Sequence, residues 1–163
     1  MSAEELWKVL GTPEFDVFVA EEFELKEYIE IERSVTESLT RRKVRIVAGT
    51  DLSYVPRGLA HKILRSDRVV YEEIQYKYNH RYEMRWSNEW IEPPLFKDNF
   101  KGLGRLQLVP ISENRCNRIR EISLNIDLFA VGPVLEAMAA EQAKKTSRKF
   151  SRVVTRWKAR SRA

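Results

Sequence analysis

The sequence predicts an α+β protein in which an antiparallel meander of about six strands is closed by one long C-terminal helix. Two observations predict it. Between Tyr28 and Ile126, apolar residues recur at every second position in short segments separated by turn residues, the period of half-buried strands. Beyond Gly132 the period changes. Leu135, Met138, Ala139, Gln142, Thr146, Phe150, Val153, Val154 and Trp157 are spaced by three and four, which places them on one stripe of a long helix. Such a helix has to lie along a sheet or cross a groove to bury that stripe.

The elements follow in chain order. Ser2 with Glu5 three positions on forms a capping box, and Gly11 is a stop signal, so the first segment reads as a short helix. A second helical turn follows Pro13, with Phe15, Phe18 and Val19 on its apolar side. Ile29, Ile31, Arg33 and Val35 then alternate with Glu30, Glu32 and Ser34, and Arg42, Val44, Ile46 and Ala48 with Lys43, Arg45 and Val47, giving two strands of a hairpin. Thr50 to Leu64, containing Pro56 and Gly58, reads as a loop with a helical turn. Val70, Glu72, Ile74, Tyr76 and Tyr78 share one face of the next strand. Tyr82, Met84, Trp86, Asn88 and Trp90 share one face of its partner across the tight Asn79-His80 connection. After Pro93-Pro94, Gly102, Gly104, Leu106 and Leu108 share a face, as do Ile122, Leu124 and Ile126 beyond the Glu113-Asn114 turn. Glycines at 102 and 104 predict a bend or bulge. Gly132 and Pro133 open the terminal helix.

Composition narrows the function. A chain of 163 residues, 43% hydrophobic, is expected to form one domain over residues 1–163. Cys116 alone excludes an intramolecular disulfide and a cysteine zinc cluster. His61 and His80 are too few for a multi-histidine metal site, so no metal and no cofactor is expected. Neither histidine stands in a nucleophile or carboxylate arrangement, so no catalytic residue and no enzyme activity is expected. No apolar run is long enough to span a bilayer, and MSAEELWKVL lacks the features of a signal peptide, which predicts a cytoplasmic or peripheral membrane location. The net charge of +5 is unevenly spread. Acids dominate residues 1–32, where only Lys8 and Lys26 oppose them, and residues 144–163 carry bases and no acid. That basic end could attract the phosphates of a membrane or a nucleic acid, or face the acidic N-terminal part.

The order of elements resembles the helix-grip fold of the START-like (SRPBCC) superfamily. Its members include lipid-transfer proteins, coenzyme Q-binding proteins, polyketide cyclases and aromatases, and plant ligand-binding proteins. The features that carry the resemblance are Val70-Tyr71-Glu72-Glu73, the aromatic strand from Tyr82 to Trp90, Gly102-Leu103-Gly104-Arg105-Leu106, and Val131-Gly132-Pro133-Val134-Leu135-Glu136. The Pro56-containing loop looks like lipid-transfer branches, including the PRELI type. One departure stands out: the superfamily usually has a strand before its first helix, and here that helix starts at Ser2. Either the strand is lacking, or this branch leaves a sheet edge open or covered by another element.

The resemblance implies a cavity between a curved sheet and the terminal helix, binding a hydrophobic ligand, most simply a lipid, for carriage, transfer or sensing. Its expected lining is Ile46, Ile74, Tyr76, Met84, Trp86, Trp90, Leu106, Leu108, Ile122, Leu124, Leu135 and Met138, with Arg33, Glu72 and Arg120 as polar contacts. By alternation Arg33, Arg42, Glu72, Asn88, Arg118 and Arg120 lie on inward faces. There they must pair with one another, Glu72 with one of the arginines first, or reach solvent, or hold a ligand headgroup. The Thr50 to Leu64 loop and the terminal helix are the expected gate. Lys145, Arg148, Lys149, Arg152 and Arg156 are expected to meet an anionic membrane. No zinc finger, RNP-type, KH-type or helix-turn-helix pattern accompanies the charge, so nucleic acid is not an expected partner. A cyclase- or aromatase-like enzyme and a protein-interaction module without a ligand are the alternative readings.

Overall fold

The computed structural model describes residues 1–49, 68–92, 94–128 and 132–161. The expected Thr50 to Leu64 loop lies outside the described residues. In chain order the elements are α1 (Ala3–Val9), α2 (Pro13–Phe23), β1 (Glu27–Val35), β2 (Leu39–Gly49), β3 (Arg68–Tyr78), β4 (Glu83–Glu92), α3 (Pro94–Asn99), β5 (Phe100–Ser112), β6 (Arg115–Ile126) and α4 (Gly132–Arg160). The six strands form one antiparallel sheet in sequence order, with β1 and β6 at its edges. The sheet packs against α4, which is the predicted α+β arrangement.

Local chemistry sets the helix ends. Ser2 Oγ accepts a hydrogen bond from Glu5 N at 3.0 Å, and Glu5 Oε2 accepts one from Ser2 N at 2.8 Å, completing the capping box. Gly11, at φ +81°, provides the left-handed turn between α1 and α2. The carbonyls that α1 leaves open at its end are taken by Lys77 Nζ, which donates to Trp7 O at 2.6 Å and Leu10 O at 2.7 Å. Thr12 caps α2 through its hydroxyl, and Glu24 ends it in the left-handed region. At the other end of the chain, Gly132 lets α4 start against β6. A Cβ there would lie 2.4 Å from Ile126 O, while Glu136 Oε1 accepts from Ile126 N at 2.9 Å.

Register decides which side chains face α4. In β1 a bulge between Glu30 and Glu32 shifts the pairing, so that Tyr28 opposes Ile46 and Glu30 opposes Val44, but Arg33 opposes Arg42. Arg33 therefore shares a face with Tyr28 and Glu30, and not with Ile29 and Ile31 as strict alternation had it. In β3 the residues paired to the inward side of β2 are Val69, Tyr71, Glu73 and Gln75, opposite Ala48, Ile46, Val44 and Arg42. The expected inward face of Val70, Glu72, Ile74 and Tyr76 thus looks outward.

The core lies at the two ends of the grip. Ala3, Leu6, Trp7, Leu10 and Phe15 of the N-terminal segment join Trp86, Leu106 and Leu108, and Phe150, Val154 and Trp157 of α4 pack against them. Phe100 and Ile126 form a second cluster, with Trp90, Leu124 and Leu135 against it. The bulge predicted at Gly102 and Gly104 is not there: both glycines pair in regular register with β4 and β6. The irregularity in the β5–β6 pairing lies between Pro110 and Ser112. Gly104 instead makes room for an indole, since a Cβ there would stand 2.0 Å from Trp86 Cζ2.

Gly104→Ala is therefore expected to destabilise the fold by about 1–3 kcal/mol in urea denaturation, the range for overpacking a core. In a Trp86→Leu background the same substitution should cost clearly less, because the clashing ring is gone. Equal costs in the two backgrounds would show that Gly104 is needed for its backbone and not for the indole.

Candidate functional site

A cavity of about 1120 Å³ lies between the sheet and α4. Its apolar lining comes from Ile46, Ala48 and Val69 on β2 and β3, Met84, Trp86 and Trp90 on β4, Leu106 on β5, Phe15 and Val19 on α2, and Met138, Ala139 and Phe150 on α4. A few polar groups converge on it: Asp16, Tyr28, Arg42, Glu73 and Gln75 on one side, Arg118, Arg120, Lys145 and Lys149 on the other. Large apolar area with a small set of placed polar groups is the usual composition of a small-molecule site.

The first polar group is a closed network. Arg42 is 6% exposed. Its guanidinium bonds Asp16 through both nitrogens, donates from Nη2 to Tyr28 Oη at 3.1 Å and donates from Nε to Gln75 Oε1 at 2.5 Å. Gln75 Nε2 passes the chain on to Glu73 Oε1 at 2.5 Å. Burial pushes the carboxyl pKa values of Asp16 and Glu73 upward, opposed at Asp16 by Arg42 and at Glu73 by Gln75 and then Arg120. Glu73 makes no ion pair among the described residues, and burial leaves its carboxyl pKa raised. Asn88, opposite Glu73 across β3 and β4, has a buried Oδ1 without a donor, and a protonated Glu73 carries an O–H on the same face. Burial likewise raises the Tyr28 and Tyr71 phenols, and Tyr28 Oη accepts from Arg42 in its neutral form.

The second group is cationic. Arg118 Nη2 donates to Ser147 O at 2.7 Å and Ser147 Oγ at 2.9 Å, and its guanidinium covers the Phe150 ring at 4.2 Å. Arg120 lies over the Trp86 ring at 5.2 Å from its centroid. Burial lowers both guanidinium pKa values, and at Arg118 the neighbouring Arg120 lowers it further.

Of the residues expected from sequence, Ile46, Met84, Trp86, Trp90, Leu106, Arg120 and Met138 line the cavity. The others do not. Ile74 and Tyr76 lie on the outer face, as does Glu72, which pairs at 2.6 Å with both Lys43 and Arg45. The Lys43 hydrogen bond, opposed by burial and helped by Arg45, holds the Glu72 carboxyl below its ordinary range. Arg33 is spent on Glu30 and on Gly11 O at 2.7 Å. Leu108 is packed into the cluster with Leu6 and Trp7, and Leu124 and Leu135 belong to the second cluster. Ile122 is on the inward face but 42% exposed, outside the cavity lining. The basic residues expected on a membrane are all exposed on α4; of them, Lys145 and Lys149 border the cavity and Arg156 bonds Glu22 at 2.6 Å. Sequence reasoning missed Tyr71, Glu73, Gln75, Tyr28 and Asp16.

The signal for the β3 residues was present in the connection. A two-residue link pairs odd positions of β3 with even positions of β4, and partners across a ladder share a face. Choosing Met84, Trp86 and Trp90 as inward therefore requires Tyr71, Glu73 and Gln75 to be inward too. The observed link is two residues longer, which preserves that parity: Lys77 opposes Met84 and Gln75 opposes Trp86.

Among solved structures, the crystal structure of TTHA0849 from Thermus thermophilus matches this chain with a TM-score of 0.62 at 12% identity, over 93% of this chain and 86% of that one. The likeness, together with the six-stranded antiparallel sheet and the long C-terminal helix, establishes the helix-grip fold. No protein-family model and no curated protein matches the sequence.

A carboxyl whose pKa is raised by folding stays protonated longer in the native state than in the unfolded chain, so native stability falls as pH rises from the unfolded value through the folded one. Glu73→Gln keeps an acceptor for Gln75 and cannot ionise. The variant should match the wild type at pH 4 and become progressively more stable than it as pH is raised, read from paired urea titrations. A constant difference across that range would mean that Glu73 ionises as freely in the fold as outside it.

Proposed function

We propose that this protein binds a hydrophobic ligand, a lipid in the first instance, between the sheet and α4, and carries it without transforming it. The observation that carries this reading is the cavity itself. Its volume of about 1120 Å³ stands at or above the upper end of the ~300–1,000 Å³ of ordinary small-molecule sites. Burying an apolar chain against Met84, Trp86, Trp90 and Leu106 would contribute roughly 25 cal/mol per Å² removed from water. Carriage is favoured over catalysis by the lining: the described cavity residues include no serine, cysteine or histidine, and Asp16 is held by Arg42. The START-like superfamily, in which lipid carriage is common, is the family assignment this reading favours.

Ala139 lies on the cavity wall of α4, and replacing it with tryptophan puts an indole into the space proposed for the ligand. Native mass spectrometry of wild-type protein incubated with a lipid extract should show a one-to-one adduct, and Ala139→Trp should lose most of it while keeping its circular dichroism. An undiminished adduct in the folded variant would place the ligand elsewhere.

Transfer also requires a docking surface. Arg148 and Arg152 are the members of the expected membrane set that neither border the cavity nor bond Glu22, and each cation near an anionic surface contributes about 1 kcal/mol. Charge reversal at both positions should weaken co-sedimentation with phosphatidylserine vesicles by tenfold or more at low salt, with a smaller effect at high salt. Unchanged sedimentation would remove this face of α4 from the mechanism.

A further inference from the structure

We infer that the cavity takes an amphiphile with a terminal anionic group, carboxylate or phosphate monoester, and that Arg120 is the side chain that recognises it. The inference rests on the reading of the cavity as a lipid site and adds the chemistry of the headgroup.

Three arginines reach this cavity, and their surroundings differ. Arg42 has Asp16, Gln75 and Tyr28. Arg118 has the Ser147 carbonyl and hydroxyl. Arg120 makes no hydrogen bond and no ion pair with any described residue; it rests against the face of Trp86. A guanidinium carries five donors and stays charged at neutral pH, and half-buried Arg120 offers these donors to the cavity without a protein acceptor among the described residues. The built-in anions answer its charge only in part: Glu73 attracts Arg120 at a distance, with no hydrogen bond or ion pair between the two. Asp16 is neutralised by Arg42, and Glu73 is bonded to Gln75, with burial disfavouring its charge.

The position of Arg120 also specifies what is attached to the anion. It opposes Leu106 across β5 and β6, Leu106 opposes Met84 across β4 and β5, and the indole of Trp86 lies beneath the guanidinium. An anion seated on Arg120 thus has Leu106, Met84 and Trp86 on one side for an alkyl chain, with Arg118 nearby as a second cation. Stacking on Trp86 holds the planar guanidinium in one orientation before a ligand arrives, so little ordering entropy is left to lose. Lys149, on the opposite wall and stacked on Phe23, adds positive potential without a competing carboxylate contact.

The test compares laurate, dodecyl phosphate and dodecanol, with inorganic phosphate as a fourth probe, by quenching of tryptophan fluorescence in wild type, Arg120→Met and Arg120→Lys. Wild type should bind laurate, dodecyl phosphate or both about tenfold or more tighter than dodecanol, the size of one charge-assisted hydrogen bond. The arm preferred distinguishes a fatty-acid type of ligand from a phosphate type. Arg120→Met should bring the anionic and neutral probes to within about twofold of each other with dodecanol binding retained, and Arg120→Lys should keep part of the preference. Equal wild-type affinities, a preference that survives Arg120→Met, or inorganic phosphate binding as tightly as the amphiphiles would each overturn the inference. A variant-free measurement gives the same decision. The carbon-13 carboxyl resonance of bound laurate should titrate below its value for free laurate in water, and titration at or above that value rejects an arginine contact. Failure of dodecanol and laurate alike to bind would reject the lipid-site reading itself, which is a different result from binding without preference.

Discussion

The fold depends on one buried guanidinium. Arg42 reaches across the concave side of the sheet and joins Asp16 on α2, Tyr28 on β1 and Gln75 on β3, so four separate elements share a single cation. Gly11, at the turn between α1 and α2, lies against it so closely that a Cβ would sit 3.2 Å from Arg42 Cζ. The N-terminal helices are thereby placed on the sheet by a polar contact, and Phe15, Trp7 and Leu6 follow into the apolar cluster behind it. Removing one partner of such a set leaves an unpaired charge, with a typical cost of about 3–5 kcal/mol. Apolar packing alone has no comparable power to fix where a short helix sits, because it is not directional.

A second consequence concerns space. Curved sheets normally bury their concave face against a helix, and here the bulky side chains are gathered at the ends of that face. Trp86 occupies the space that a side chain at position 104 would need, and Arg120 stands over its ring at 5.2 Å. Arg42 and Arg120 therefore illustrate two solutions to the same problem. One cation is closed by protein groups and acts as structure; the other faces the cavity over the Trp86 ring, with no hydrogen bond to any described residue.

The legibility of this arrangement varied with the range of the interaction that determines it. The α1 capping box, the start of α4 at Gly132 and the alternation in β2 and β4 are set within a few residues, and they were readable as such. Ile29 and Ile31 were placed on the inward face with Arg33 because a bulge at Glu30 and Glu32 adds one residue; Arg33 does face inward, but together with Tyr28 and Glu30, and bulges leave no mark in a two-residue period. β3 was inverted because Val70, Ile74 and Tyr76 make its outer face look like a core. That face keeps Glu72 between Lys43 and Arg45 instead. Burial of polar Tyr71, Glu73 and Gln75 makes sense only once Arg42 and Arg120, from other strands, are known to stand beside them. The basic C-terminal stretch was likewise ambiguous in isolation. In the fold Arg156 meets Glu22, and Lys158 stands 3.7 Å from Glu5, so part of the charge asymmetry is an internal complementarity between the ends of the chain.

The remaining physical question is what holds the middle of α4. Its first turns are tied to β6 through Glu136 and packed through Leu135. Its last turns pack Phe150, Val154 and Trp157 into the N-terminal cluster, with Trp157 edge-on to Phe15 at 5.2 Å. Between these anchors, Met138, Ala139, Gln142 and Thr146 span the cavity, and no residue of this stretch is buried. A helix keeps its hydrogen bonds across such a gap, but the gap contributes little of the apolar burial that stabilises a long amphipathic helix. An occupant of the cavity would supply contacts to that stretch and to the opposing strands at once. Because it would bind the folded arrangement and not the unfolded chain, its affinity would appear directly as added stability. The same geometry gives the middle of α4 little to lose by moving aside, so entry and retention of an occupant would depend on the same few turns.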